Sequence, residues 1–138
     1  MNLASSAILL YAIAIAGVLI YLPFFAVGYA RAKVGYDISA PRAMFDKLPP
    51  YAKRANWAHQ NSFEAFILFA PAALMAYVTG VDSTIAAGAA ITFVIVRSLY
   101  SLFYILDIPY ARSFMFGIGS LCSFTLYGLS IAILNNSH

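Results

Sequence analysis

The chain has 138 residues, of which 63% are hydrophobic and 9% charged, and its formal net charge is +3. An ordinary soluble domain is about 45–50% apolar and about 25% charged, and a globule this small cannot hide such an excess; residues 1–138 are therefore expected to form one membrane-embedded folding unit. A single cysteine, Cys122, excludes a disulfide framework and multi-cysteine metal sites, and the cationic charge is gathered in one loop, where it reports topology and not nucleic-acid binding.

The first apolar run covers about residues 5–29, with no charge before Arg31. A signal-peptide core is only about 7–15 residues long, so this run predicts a retained anchor. Pro23 is expected to kink it, which a bundle tolerates when neighbours satisfy the freed carbonyl. Residues 31–54 form the one long polar connection, with Arg31, Lys33, Arg42, Lys47, Lys53 and Arg54 interrupted by Pro41, Pro49 and Pro50. A second span is expected over about 55–78, a third over 83–106 and a fourth over 111–134. Thr79-Gly80-Val81-Asp82 reads as a tight turn, with Ser83 or Asp82 available to cap the third span. Asp107-Ile108-Pro109 should end that span, because the residue before proline is pushed out of helical geometry. A short polar tail then runs to His138.

Six of the eight Lys and Arg lie in the first loop, and Arg112 lies on the same side at the junction of spans three and four. The opposite side carries no Lys or Arg. By the positive-inside rule both termini face away from the cytoplasm, which in a bacterial inner membrane means the periplasm. Each span is roughly 36 Å of helix at 1.5 Å per residue, enough to cross a hydrocarbon core of about 30 Å. The fold class is therefore all-α: an antiparallel four-helix transmembrane bundle with short connections.

The polar residues inside these spans carry the functional signal. Arg54, Trp57, Asn61, Glu64 and Leu68 fall on one helical stripe of span two. Glu64 lies roughly 14 Å from the loop end of its span, and Arg97, in span three, roughly 15 Å from the same end. Arg97, Tyr100 and Tyr104 also share a face. An ionised group at that depth costs several kcal/mol unless it is paired or reaches a wet cavity. One reading is a buried pair that fixes helix register. The other is a polar pocket open toward the basic loop and holding a charged ligand. Arg31, Arg54, Arg97 and Arg112 outnumber the carboxylates in that depth range, and surplus guanidinium groups suit an anionic partner that Arg grips bidentately. That surplus favours the ligand pocket.

The remaining candidates read as structural. His59 is off the main stripe and suits a helix-surface or subunit contact. No His, Asp or Glu set has metal-ligand spacing, and axial haem ligation lacks a suitable histidine. Gly17, Gly117, Gly119 and Gly128 suit close helix packing, and Cys122 a small buried hydrophobe.

The run Arg54-Ala55 through Asn61-Ser62-Phe63-Glu64-Ala65-Phe66 resembles the signature of the MAPEG superfamily, the membrane-associated proteins in eicosanoid and glutathione metabolism. Arg97-Ser98-Leu99-Tyr100, then Tyr104, then Tyr110-Ala111-Arg112-Ser113, looks like its second block. The resemblance covers the whole chain and is nearest to the short bacterial members. It implies a homotrimer that binds glutathione as thiol co-substrate between subunits. Asn61 and Glu64 would then meet the peptide's amino and backbone groups, beside Arg97 and Tyr100. Tyr104 would help hold the peptide, Arg31 would take a carboxylate, Arg112 would stand near the sulfur, where a guanidinium favours the nucleophilic thiolate, and Arg54, one turn before Trp57 on the same stripe, could substitute for the arginine that members often carry at that position. The electrophile would be a lipophilic small molecule arriving from the bilayer. Trp57 stands where many members carry an arginine, and Ile67 where many carry a proline. The implied function is a microsomal-type glutathione S-transferase or peroxidase. The alternative is a non-catalytic membrane module that packs against a partner protein or binds lipid. A small transporter is disfavoured, since four spans lack paired broken helices.

Overall fold

The computed structural model describes residues 3–137; Met1, Asn2 and His138, where the polar tail ends, lie outside them. Among the described residues the chain is α-helical apart from turns and one short 3₁₀ segment, Pro41–Lys47. The helices are α1 (Leu3–Tyr21), α2 (Phe24–Val34), α3 (Pro50–Val78), α4 (Thr84–Ile105) and α5 (Pro109–Asn136). Four stretches are long and apolar enough to cross a membrane: Ala4–Val34, which joins α1 and α2, and the three long helices α3, α4 and α5.

Span one does more than kink. Proline has no N–H to continue the ladder, and the helix stops at Tyr21 and restarts at Phe24. Short-range bonds bridge the break, Leu22 N–H to the Leu19 carbonyl at 3.3 Å and Phe25 N–H to the Leu22 carbonyl at 3.4 Å. The expected polar connection also contracts, because α2 runs on to Val34 and α3 starts at Pro50. A proline at the first helical position sacrifices only a donor that had no intrahelical partner, so Pro50 begins the second long helix five positions before the expected boundary at Ala55.

The two turns between the long helices share one geometry. At the end of α3, Val81 N–H reaches the Ala76 carbonyl and Gly80 N–H the Tyr77 carbonyl, with Gly80 at φ 70°. At the end of α4, Ile108 N–H reaches Phe103 and Asp107 N–H reaches Tyr104, with Asp107 at φ 61°. Both are the left-handed cap that closes a helix by two crossed backbone bonds. Span three thus ends through a positive φ at Asp107, and Pro109 opens α5. Ser83 is the cap at the start of α4, its hydroxyl accepting from Ile85 N–H at 3.1 Å.

In the bundle α1 packs on α3 and α4, and α5 packs on α4 and α3. Leu9, Ala12, Ala16, Ala72, Ala73, Ala76, Ala86 and Ala90 are buried where these helices meet. Small side chains let backbones approach closely where lipid offers no hydrophobic driving force. Phe69 and Phe93 stack across the centre with ring centroids 3.8 Å apart. Of the four glycines expected at close contacts, Gly119 lies against Val96, Phe93 and the Arg97 stem and Gly17 against Phe66, while Gly117 and Gly128 face open space.

Candidate functional site

Glu64 is the midpoint of α3 and is exposed on the side of the single bundle. Arg97 on α4 is 5% exposed. The two charges do not touch. Asn61 stands between them, its carbonyl oxygen accepting from Arg97 Nη2 at 2.9 Å and its amide nitrogen donating to Glu64 Oε2 at 3.2 Å. A carboxamide can accept from a guanidinium through its oxygen while donating to a carboxylate through its nitrogen. The direct ion pair read from depth is therefore replaced by a three-residue relay, and each charged group keeps further hydrogen-bonding capacity for something else.

The relay continues toward the basic-loop end through aromatic rings. The Arg97 guanidinium carbon lies 4.0 Å from the Tyr100 ring centroid, an attractive placement against the ring's negative face. Tyr100 and Tyr104 meet edge to face at 5.7 Å. The Arg112 guanidinium, one turn into α5, covers Tyr104 at 4.3 Å. Asn61, Glu64, Arg97, Tyr100, Tyr104 and Arg112 thus form one connected group across α3, α4 and α5.

Two adjoining spaces open beside it. An open cleft of about 450 Å³ is lined by Trp57, Gln60, Asn61, Glu64, Tyr100 and Tyr104. A narrower cavity of about 190 Å³ continues past Asn61, Glu64 and Arg97 between Leu68 on α3, Phe93 on α4, and Phe116, Gly119, Ser120 and Ser123 on α5. The α5 lining was missed from sequence, although Phe116, Gly119, Ser120 and Ser123 recur at helical spacing and offered a signal. Trp57 also lines the cleft, its indole 6.5 Å from the Tyr104 ring and 5.7 Å from Phe45.

Two of the expected binding residues stand elsewhere. Arg54 donates through Nε at 3.1 Å and Nη2 at 3.0 Å to the Ile105 carbonyl. It covers one of the last carbonyls of α4, which every helix end leaves without an intrahelical donor. Arg31 is buried on α2 and lines a separate cavity that contains none of Asn61, Glu64, Arg97, Tyr100 or Tyr104. His59 has a role within the bundle: its Nδ1 lies 2.6 Å from the Ile20 carbonyl. A carbonyl can only accept, so Nδ1 carries the proton, and the side chain ties α3 to the break at Pro23. Among the described residues no group of three or more His, Cys, Asp or Glu could hold a metal ion.

A model of the MAPEG family matches residues 8–132 of the chain. Searches of curated proteins and of solved structures returned no significant match. The family match spans nearly the whole length, so the chain belongs to the MAPEG family, and with its four apolar helices it is an integral membrane protein.

Proposed function

We propose that this member of the MAPEG family binds glutathione, or a similar thiol, in the Asn61–Glu64–Arg97 cleft and transfers it to lipophilic electrophiles. The observation that carries the reading is the relay: a carboxylate exposed at mid-helix beside a buried guanidinium, bridged by one amide and bordered by about 450 Å³ of open space. A zwitterionic peptide matches that set, its ammonium suiting Glu64 and its carboxylate and backbone suiting Arg97, Asn61 and the two tyrosines. Arg112 completes the assignment as the group beside the sulfur, where its charge favours thiolate over thiol. In transfer, thiolate attacks the electrophilic carbon, a carbon–sulfur bond forms, and the displaced group or opened epoxide oxygen takes a proton. In a peroxidase cycle two thiols reduce a hydroperoxide to alcohol and water and leave as a disulfide.

The exposure of Glu64 on a single bundle supports assembly as a homotrimer in which a neighbour closes the cleft, since a bare carboxylate at that depth is costly. The spans would alternate in direction, with the basic loop cytoplasmic and both termini periplasmic in a bacterial inner membrane. A second reading, a non-catalytic module that packs against a partner or binds lipid, draws on one observation: the Arg112 guanidinium carbon lies over the Tyr104 ring, 4.3 Å from its centroid. Titration of purified protein with glutathione, followed by thiolate absorbance, separates the two. Saturable thiolate formation that Arg112→Ala abolishes, with binding retained, supports catalysis. Binding without thiolate supports the second reading, and no saturable binding sinks the thiol assignment.

A further inference from the structure

The open cleft beside the relay has no cation of its own. None of the eight Lys and Arg lines it, and Glu64 is its one charged lining residue. The cationic groups nearby are engaged elsewhere. Arg54 gives Nε and Nη2 to the Ile105 carbonyl, and Arg31 and Arg42 line the separate cavity. Lys53 lies over the Phe45 ring, 5.5 Å from its centroid. That leaves Arg97, bonded to Asn61, and Arg112, over Tyr104. In the thiol reading Arg97 meets a carboxylate and Arg112 the sulfur. Glutathione carries two carboxylates, one beside its ammonium and one at the far, glycyl end. The second finds no guanidinium here.

A ring stands where that guanidinium would be needed. Trp57 lines the loop end of the cleft and is 43% exposed, with its indole 6.5 Å from the Tyr104 ring. It precedes Glu64 by seven residues, roughly 10 Å along α3. Three extended residues cover about the same distance, at about 3.3–3.6 Å each. A tripeptide whose ammonium rests on Glu64 therefore brings its far end to Trp57. An ionised carboxylate placed there gives up water for neutral neighbours, Gln60 and the indole, with no charge to answer it. An apolar or aromatic group gains contact with the ring instead. We propose that Trp57 sets the specificity of this cleft: it selects thiols whose far end is uncharged, and aromatic ends above aliphatic ones. The proposal rests on the thiol reading and narrows it.

The test compares three forms of one thiol on the full-length protein in uncharged detergent: glutathione, its glycyl ethyl ester and its glycyl benzyl ester. Affinity is read from thiolate absorbance. The ethyl ester should bind at least as tightly as the free acid. The benzyl ester should bind about two- to tenfold more tightly than the ethyl ester, the range an aromatic pair supplies. Trp57 is the one tryptophan of the chain, so the benzyl ester should also change its fluorescence more than the ethyl ester does. Trp57→Ala should remove the benzyl preference. Trp57→Arg should place the free acid about tenfold ahead of the ethyl ester, and with the native order it decides the matter if the alanine variant misfolds. A free acid that already binds about tenfold more tightly than its ethyl ester in the native protein overturns the proposal, because a cation then reaches the loop end of the cleft. A benzyl preference that survives Trp57→Ala overturns it too. Either result leaves the thiol reading standing, whereas saturable binding of none of the three forms removes both.

Discussion

The two ends of this bundle are held together by different physics. Away from the basic loop, alanines on α1, α3 and α4 pack around the Phe69–Phe93 stack, and packing dominates, with the Tyr127 hydroxyl donating to the Leu68 carbonyl at 3.0 Å as a polar tie between α5 and α3. Toward the loop, the same helices are joined by specific polar bonds, Arg97 to Asn61, Arg54 to Ile105 and His59 to Ile20, and Asn61 is held in turn by Glu64 on its own helix. Dry packing is tolerant of what surrounds it, since lipid matches it well. The polar end is not, because every unsatisfied group there faces either protein or an apolar solvent. Function is therefore expected where cohesion is most conditional.

The largest effect that can break this contrast belongs to the dry end. Phe69 is fully buried, and Phe69→Ala removes half of the central stack. Such truncations cost about 3–5 kcal/mol in cores, and the lower part of that range is expected where lipid can receive an exposed ring. The thermal midpoint in detergent should fall accordingly, while glutathione affinity of the folded fraction stays unchanged. A large loss of affinity at low temperature would show that the two ends are coupled and that the contrast is wrong.

Next comes the relay. Asn61→Ala leaves both Arg97 and Glu64 without their shared partner, a loss of about 2 kcal/mol, and glutathione affinity should drop about tenfold or more. Asn61→Asp sharpens the test. It keeps an acceptor for Arg97 but sets a like charge where the amide donated at 3.2 Å to Glu64. Stability should be largely retained and binding lost; the reverse outcome would assign Asn61 to scaffolding.

How much of this was legible beforehand follows from what each residue depends on. The four spans rest on local composition and were readable from run length. The association of Asn61, Glu64, Arg97, Tyr100 and Tyr104 was readable because each helix is continuous through its part of the set, so helical period predicts the face. Arg31 was not, because two non-helical residues at Leu22–Pro23 reset the helical phase before α2 begins. Arg54 was drawn to the stripe by the same period that placed Asn61, yet its long side chain reaches the end of α4, fifty-one positions away in sequence. Long-range carbonyl partners leave no periodic trace. The same holds for His59 and Ile20.

His59 tests the border between the two ends. His59→Ala removes the donor at the Ile20 carbonyl, next to the break at Pro23, and should cost about 1 kcal/mol. His59→Asn, whose amide nitrogen can occupy the place of Nδ1, should recover most of that loss. If both variants match the native thermal midpoint, the break is held by the surrounding rings and not by this bond.

The smallest effect compares the two turns. Gly80 and Asp107 occupy equivalent places after α3 and α4, at φ 70° and φ 61°, but only glycine adopts that region freely. A left-handed L-residue costs about 1–2 kcal/mol, and glycine returns about 0.5–1 kcal/mol of that through the entropy of the unfolded chain. Asp107→Gly should therefore gain about 0.5 kcal/mol and raise the thermal midpoint by about 2 °C. Activity should be unchanged, because the Asp107 carboxylate has no place in the relay. A variant that is more stable yet loses turnover would mean that this carboxylate orients Arg112, five positions on, and that the functional end of the bundle extends into the turn. A variant less stable than the native chain would mean that the aspartate stabilises the turn beyond its backbone cost, and that the two connections are alike in geometry only.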